Sequence, residues 1–359
     1  MVTNASHVTR IHLDIGGEQQ RHRKNMIDLY CEAMSNVRDP IQPMQGINGL
    51  RRVTKDELIG ANTKDHTIKL KKYLQLRKKR RLVKKNMDEK PKTKSKNKKK
   101  ESKKDIARKR ERRKATKALN IFYNDKARLL FCSVPKVAST NWKRIIHTIM
   151  GSLSSPDQET EKEKRIHKGI PHLTSLSRKE SAFRQRNYFS FLFTRHPFER
   201  VFSAYRDKLK TGMDVYLYRK YNTIILQSVR NESFVEGTSK PSTLSEFVQF
   251  LITQHKKGLS YKMNPHWRPV VLLCNVCNMK YTVVGKMETI RSDSDLITDY
   301  LSTQTGLQLS LPTMRRYKNK SSSMAVDTFK EVPRKLVEQL YAVYKNDFKA
   351  FGYTTNGFL

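Results

Sequence analysis

The stretch Leu129-Leu130-Phe131-Cys132-Ser133-Val134-Pro135-Lys136-Val137-Ala138-Ser139-Thr140-Asn141-Trp142 decides the fold class. Its first six residues are a short apolar run, of the kind a strand buried on both faces presents. Pro135 to Thr140 reads as a short loop. Trp142, Ile145, Ile146, Ile149 and Met150 then recur at helical spacing, the stripe of an amphipathic helix, and Gly151 ends it. A loop between a parallel strand and a helix presents free backbone N–H groups, and the helix dipole adds to them, so the junction favours an anion. Lys136 adds a full positive charge, and Ser139 and Thr140 add hydroxyl donors. The unit is P-loop-like in its logic. It lacks the Gly-x4-Gly-Lys-Ser/Thr spacing, which argues against a standard nucleoside triphosphatase.

Further along, the same theme repeats. Tyr188-Phe189-Ser190-Phe191-Leu192-Phe193 reads as a second strand, Thr194-Arg195-His196 as a turn, and Pro197 as the first position of a helix. Phe198, Val201, Phe202 and Tyr205 give that helix its buried stripe, with Arg200 and Arg206 placed on its polar face. Arg195 suits bidentate contact with a phosphate, and Ser203 follows about two turns along. The first unit alone reads equally well as an ordinary strand–helix turn, and the second alone reads better as a solvated basic helix face. Together they make two separate clamps, which a nucleotide phosphorylated at both its 5′ and 3′ ends requires.

Working outward, Lys280 to Val284 reads as a third strand that runs into Gly285-Lys286-Met287-Glu288. Thr243 and Glu246 form a capping box that opens a helix with Leu244, Phe247, Val248 and Leu251 inward. The last helix starts near Pro333 and buries Leu336, Val337, Leu340, Tyr341, Tyr344 and Phe348. Repeated strand–loop–helix units predict an α/β fold with a central parallel sheet flanked by helices.

These residues also carry a resemblance. Phe131 to Arg144 is similar to the 5′-phosphosulfate motif of the carbohydrate sulfotransferases that act on chondroitin, dermatan and the HNK-1 epitope, and looks closest to the chondroitin 4-O-sulfotransferases. Phe191 to Lys208 is similar to the family's 3′-phosphate motif. Asn264-Pro265-His266-Trp267 through Cys274-Asn275-Val276-Cys277, then Tyr281 and Gly285 to Thr289, resembles its downstream block. Tyr344 to Phe348 with Phe351-Gly352-Tyr353 resembles its C-terminal block. The blocks fall in the family's order. Ser139 stands where several relatives have Cys, and His196 where the residue is often acidic.

The resemblance implies a P-loop-like sulfotransferase fold, 3′-phosphoadenylyl sulfate (PAPS) as sulfuryl donor and no metal. It implies an anionic glycan acceptor, a chondroitin- or dermatan-type chain or a glycoprotein glycan, with 4-O of N-acetylgalactosamine first and a uronic acid 3-O position second. By the same resemblance Pro135, Lys136, Val137, Ala138, Ser139, Thr140 and Asn141 hold the 5′-phosphosulfate. Arg195, His196, Pro197, Phe198, Glu199, Arg200, Val201, Phe202 and Ser203 hold the 3′-phosphate. Lys136 stabilises the leaving group. A general base is needed to activate a sugar hydroxyl. His167, between the two clamps where relatives also carry a histidine, His172, and His266 beside Trp267 are the candidates.

Composition bounds the rest. The 359 residues carry a formal charge of +40, and Lys69–Lys117 holds 26 Lys and Arg against 5 Asp and Glu, about half of that excess. The chain therefore divides into an N-terminal region of uncertain structure (1–65), a basic low-complexity tract that repels itself and reads as disordered (66–118), and a sulfotransferase domain (119–359). The tract supports a rival class, a polyanion- or nucleic-acid-binding protein with salt-dependent affinity. No recognised DNA- or RNA-binding motif accompanies it, and it would equally help to hold an anionic glycan. The family pattern is a type II Golgi membrane enzyme, yet no run of about 18 apolar residues and no signal-peptide core occurs in this sequence.

The four cysteines are too few for a disulfide scaffold. Cys274-x2-Cys277 lacks the second Cys/His pair of a zinc site, so a local disulfide between the two is the expectation. Sequons at Asn4, Asn231 and Asn319 agree with a secretory lumen.

Overall fold

The computed structural model describes residues 17–36, 119–158, 166–212, 214–312 and 320–359. The basic tract 66–118, most of the 1–65 region and the sequons at Asn4 and Asn319 lie outside these described residues.

Four strands form a sheet in chain order: β1 (Ile121–Asn124), β2 (Leu129–Cys132), β3 (Phe189–Thr194) and β4 (Val283–Lys286). Strands β2, β3 and β4 are parallel, with Cys132 opposite Leu192 and Thr194 opposite Lys286. Strand β1 is antiparallel to β2, so the sheet is mixed rather than wholly parallel. It escapes a reading by strand signals because it has four residues and joins β2 through a tight turn, in which the Asn124 side chain accepts from the Ala127 N–H at 2.8 Å. All six residues of β3 are buried, as expected of a central parallel strand covered on both faces. The third strand lies three residues later than the apolar run Lys280–Val284 predicts, starting at Val283.

The helices are α1 (Glu18–Asn36), α2 (Ser139–Ile149), α3 (Arg178–Asn187), α4 (Pro197–Tyr205), α5 (Val215–Val229), α6 (Leu244–Lys256), α7 (Val270–Leu273), α8 (Ile290–Thr305), α9 (Lys320–Lys330) and α10 (Arg334–Phe351). Helix α2 buries Trp142, Ile145, Ile146 and Ile149. Met150 departs from the predicted stripe: it lies at the C-terminal cap and is 40% exposed. Helix α4 starts at Pro197 and α6 starts after the Thr243–Glu246 capping box, both where the sequence signals place them. In α10, Val337, Leu340, Tyr344 and Phe348 are buried, while Leu336 and Tyr341 pack at the margin.

The core falls into two clusters. The first joins the strands to α2, α7, α8 and part of α1, with Trp142 stacked on Phe193 at 5.2 Å. The second joins α4, α6, α9 and α10 around Phe198, Phe247 and Trp267. Gly285 in β4 permits close approach to β3, because a Cβ there would lie 2.3 Å from the Phe193 ring.

Helix α1 belongs to this body despite the weak apolar periodicity of its sequence. Its buried face is Gln20, Arg23, Ile27 and Tyr30, a stripe at helical spacing whose first half is polar. Arg23 donates to the Val284 carbonyl (3.0 Å) and to Asp293 (2.7 Å), and the Val284 N–H donates to Gln20 (3.2 Å). Side chains of α1 thus satisfy backbone groups of β4.

Both cysteines of the Cys274-x2-Cys277 pair bond elsewhere. Cys132 at the end of β2 pairs with Cys274, and Cys31 of α1 pairs with Cys277. The expected local disulfide is therefore corrected to two long-range ones. A Cys-x2-Cys spacing leaves both thiols available, and the fold brings a nearer partner to each.

Candidate active site

Both predicted clamps leave the carboxyl ends of neighbouring parallel strands, which is where open α/β sheets bind ligands. In the first, Lys136 (φ 74°) and Ala138 (φ 58°) are left-handed, and Val137 between them is buried. Left-handed residues turn neighbouring N–H groups toward one side, the geometry of an anion-binding nest. Left-handed backbone in residues with a Cβ is strained, and such strain gathers at functional sites. No side chain caps the first turn of α2, so its N–H groups face the same loop. Pro135, Lys136, Ala138, Ser139, Thr140 and Asn141 are all partly exposed around this turn.

The residues of the second clamp are placed differently from one another. Pro197, Phe198, Val201 and Phe202 are buried and fix α4 in the core. Arg195 is held by Glu199, whose Oε2 accepts from Nε at 3.0 Å and from Nη2 at 2.9 Å. Ser203 is partly exposed two residues before α4 ends at Tyr205. His196 turns away toward the C-terminal aromatics: its ring stacks on Phe358 (4.8 Å) and its Nε2 meets the Thr354 carbonyl at 2.8 Å. Its backbone N–H donates to Glu288 (3.1 Å), whose other oxygen accepts from the Tyr353 hydroxyl (3.1 Å).

Arg200 corrects the sequence reading. It is 1% exposed rather than on the polar face of α4. Its guanidinium donates to the carbonyls of Pro135 (3.2 Å), Arg268 (2.9 Å) and Pro265 (2.8 Å). Arg200 thereby ties the first clamp to the Asn264–Trp267 segment. That segment is fixed in turn by α10: the Tyr344 hydroxyl donates to the Trp267 carbonyl, and Asp347 accepts from the N–H groups of Val270 (2.7 Å) and Val271 (2.9 Å). Burial raises the Asp347 pKa to about 6. The four sequence blocks, far apart in the chain, are one bonded unit.

At the centre stands Lys136. Its Nζ donates to Asp207 at 2.6 Å, and both side chains are 19% exposed. Burial lowers the Lys136 pKa, and Asp207 opposes that effect. Lys208 sits 3.3 Å from both Asp207 and Asp214.

Among the histidines, His266 joins this group. Its pKa is pushed down to about 3, by burial first and then by Lys208 and Lys136. Asn264 Oδ1 accepts from the His266 backbone N–H (3.0 Å) and lies 2.7 Å from ring Nδ1. An oxygen already accepting from a backbone N–H fixes Nδ1 as the protonated nitrogen and leaves Nε2 with its lone pair. His167 belongs to another cluster. Its Nδ1 lies 3.4 Å from Lys143 Nζ, which rests 4.7 Å from the centre of the Phe122 ring. His172 stacks on that ring at 4.0 Å. Sequence reasoning missed Asp207, which lies inside the second motif but is linked to Lys136 only across 71 residues.

Residues 119–354 match the sulfotransferase family. The chain belongs to that family. It is 34% identical over 235 residues to mouse carbohydrate sulfotransferase 11, covering 64% of this chain and 66% of that protein. It is 33% identical over 261 residues to mouse carbohydrate sulfotransferase 12, covering 65% and 60%. Frog (Xenopus laevis) carbohydrate sulfotransferase 10 is 30% identical over 249 residues, covering 67% and 68%. The matches thus span 60–68% of these relatives' lengths. No solved structure matches.

Proposed function

We propose that this chain is a carbohydrate O-sulfotransferase that moves a sulfuryl group from PAPS to a hydroxyl of an anionic glycan, the 4-O position of N-acetylgalactosamine in chondroitin or dermatan. The observation that carries the reading is the pair of anion-favouring junctions on adjacent parallel strands, one holding Lys136 and the other Arg195. The family match and the relatives named carbohydrate sulfotransferases support it.

The residues fit such a donor. The N–H groups of the 136–140 turn, with Ser139, Thr140 and Asn141, would receive the 5′-phosphosulfate; Arg195 and Ser203 would receive the 3′-phosphate. Bound there, the donor supplies an activated sulfuryl group. Lys136 stabilises the charge that gathers on the bridging oxygen as its bond to sulfur breaks. We assign the base to His266 rather than His167, because His266 shares the electrostatic surroundings of Lys136 and presents an unprotonated Nε2. That nitrogen takes the proton of the attacking sugar hydroxyl.

The setting proposed is the Golgi lumen. Two disulfides join distant parts of the chain, and such bonds persist in oxidising compartments. Among the described residues no helix is long and apolar enough to cross a membrane.

Labelled donor offered to a panel of desulfated glycosaminoglycans, with disaccharide analysis of the products, tests donor, acceptor and position together. Label at 4-O of N-acetylgalactosamine is the expected outcome, and no transfer to any glycan overturns the reading. Lys136→Ala is expected to abolish turnover in folded protein; near-wild-type turnover would remove Lys136 from its role.

A further inference from the structure

Lysine is a poor residue to leave unguided in a reaction. Its ammonium is a point charge on a flexible four-carbon stem, and burial readily strips its proton. Lys136 has both problems. Burial is the largest influence on it, and the cations of Lys208 and Arg206 add to the effect. The charge of Lys136 in turn lowers the pKa of His266 in the 264–267 segment. Asp207 is the carboxylate that opposes these influences, at 2.6 Å from Nζ.

The placement of Asp207 is built into the chain. Helix α4 ends at Tyr205, and Arg206–Lys210 continues as a π-helical turn closed by the Thr211 N–H donating to the Arg206 carbonyl at 3.1 Å. Such turns admit an extra residue per turn and redirect side chains, and they occur frequently at functional sites. Lys208 divides its charge between Asp207 and Asp214 at 3.3 Å each, so the short contact of Asp207 goes to Lys136. Lys136 and Asp207 are each partly exposed, so an incoming anion can reach both.

We propose that Asp207 is the positioning residue for Lys136: the π-helical turn sets its carboxylate beside the donor loop, where it keeps the ammonium charged and aimed until the donor's phosphosulfate becomes the ammonium's partner. The inference rests on Lys136 being the leaving-group cation. Asp207 takes no part in bond making or breaking.

The test follows the charge state of Lys136 directly. Full-length wild type, Asp207→Asn and Asp207→Glu are labelled briefly with an amine-reactive reagent across a pH series. Modification of the Lys136 peptide is read by mass spectrometry, beside thermal melting of each protein. Asp207→Asn is expected to move the Lys136 labelling curve to lower pH by about one unit, about tenfold in rate at fixed pH. Asp207→Glu should return it toward wild type. With an acceptor that wild type sulfates, the alkaline limb of kcat/KM for the donor should move the same way. A labelling curve that stays in place in a folded Asp207→Asn protein overturns the inference, whether or not its melting temperature falls. Turnover retained by Lys136→Ala overturns the leaving-group reading instead, and the labelling curve reads independently of turnover.

Discussion

His266 shows how much chemistry one side chain inherits from its surroundings. Its pKa of about 3 keeps it neutral throughout the ordinary working range, and the proposed base gains basicity only when the anionic donor offsets the charges of Lys208 and Lys136 that depress it. A depressed histidine pKa means that the unfolded chain takes up a proton between about pH 6.5 and 3 that the folded chain refuses. Stability is therefore full above pH 6.5 and falls as pH drops through this window, and His266→Gln should flatten part of that slope in denaturant titrations. The same shift sets the activity profile: the acid limb of kcat/KM for the donor should lie below the ordinary histidine value. A limb at about 6.5 that disappears in His266→Gln would show a histidine without this depression. Arg200 teaches the opposite lesson. It is a cation in a phosphate-like motif, yet burial commits its guanidinium to three carbonyls and it acts on the loop's backbone.

Among the elements, strands β3 and β4 matter together, because β3 leads into the second clamp and β4 into Glu288, which accepts from the His196 N–H. Gly285 lies flat against Phe193. Gly285→Ala would drive a methyl group into a fully buried ring, an overpacking change that costs about 1–3 kcal/mol. The expected result is a lower denaturant midpoint with an unchanged slope. Wild-type stability would show that the strands can separate without loss. Elements marked by local signals were readable in advance: β2, β3, α2, α4, α6 and α10 follow apolar runs, Pro197, a capping box and helical stripes. Strand β1 and helix α1 were not. Four residues carry too little pattern, and the α1 stripe begins with Gln20 and Arg23, which are buried because β4 and Asp293 supply their partners. A periodicity of apolar residues is blind to a face that is buried through hydrogen bonds.

On the scale of the whole molecule, the disulfide from Cys31 to Cys277 spans 246 residues and ties α1 to the body. Replacing both cysteines, Cys31→Ser with Cys277→Ser, should cost about 2–4 kcal/mol and make α1 the first site of proteolysis. A non-reducing peptide map should recover Cys31 with Cys277 and Cys132 with Cys274; a Cys274–Cys277 peptide would refute the pairing. The sequence by itself determined the strand–loop–helix units, the two proposed clamps and the order of the four blocks, because each is written in residues adjacent along the chain. The tertiary structure decided what distant residues do to one another: which cysteine meets which, that Arg200 faces inward, that His266 lies in the field of Lys136, and that Asp207 holds its ammonium. Ion pairs, buried hydrogen bonds and disulfides act over a few ångströms of space. Their partners here lie tens to hundreds of residues apart, at separations that no local pattern encodes.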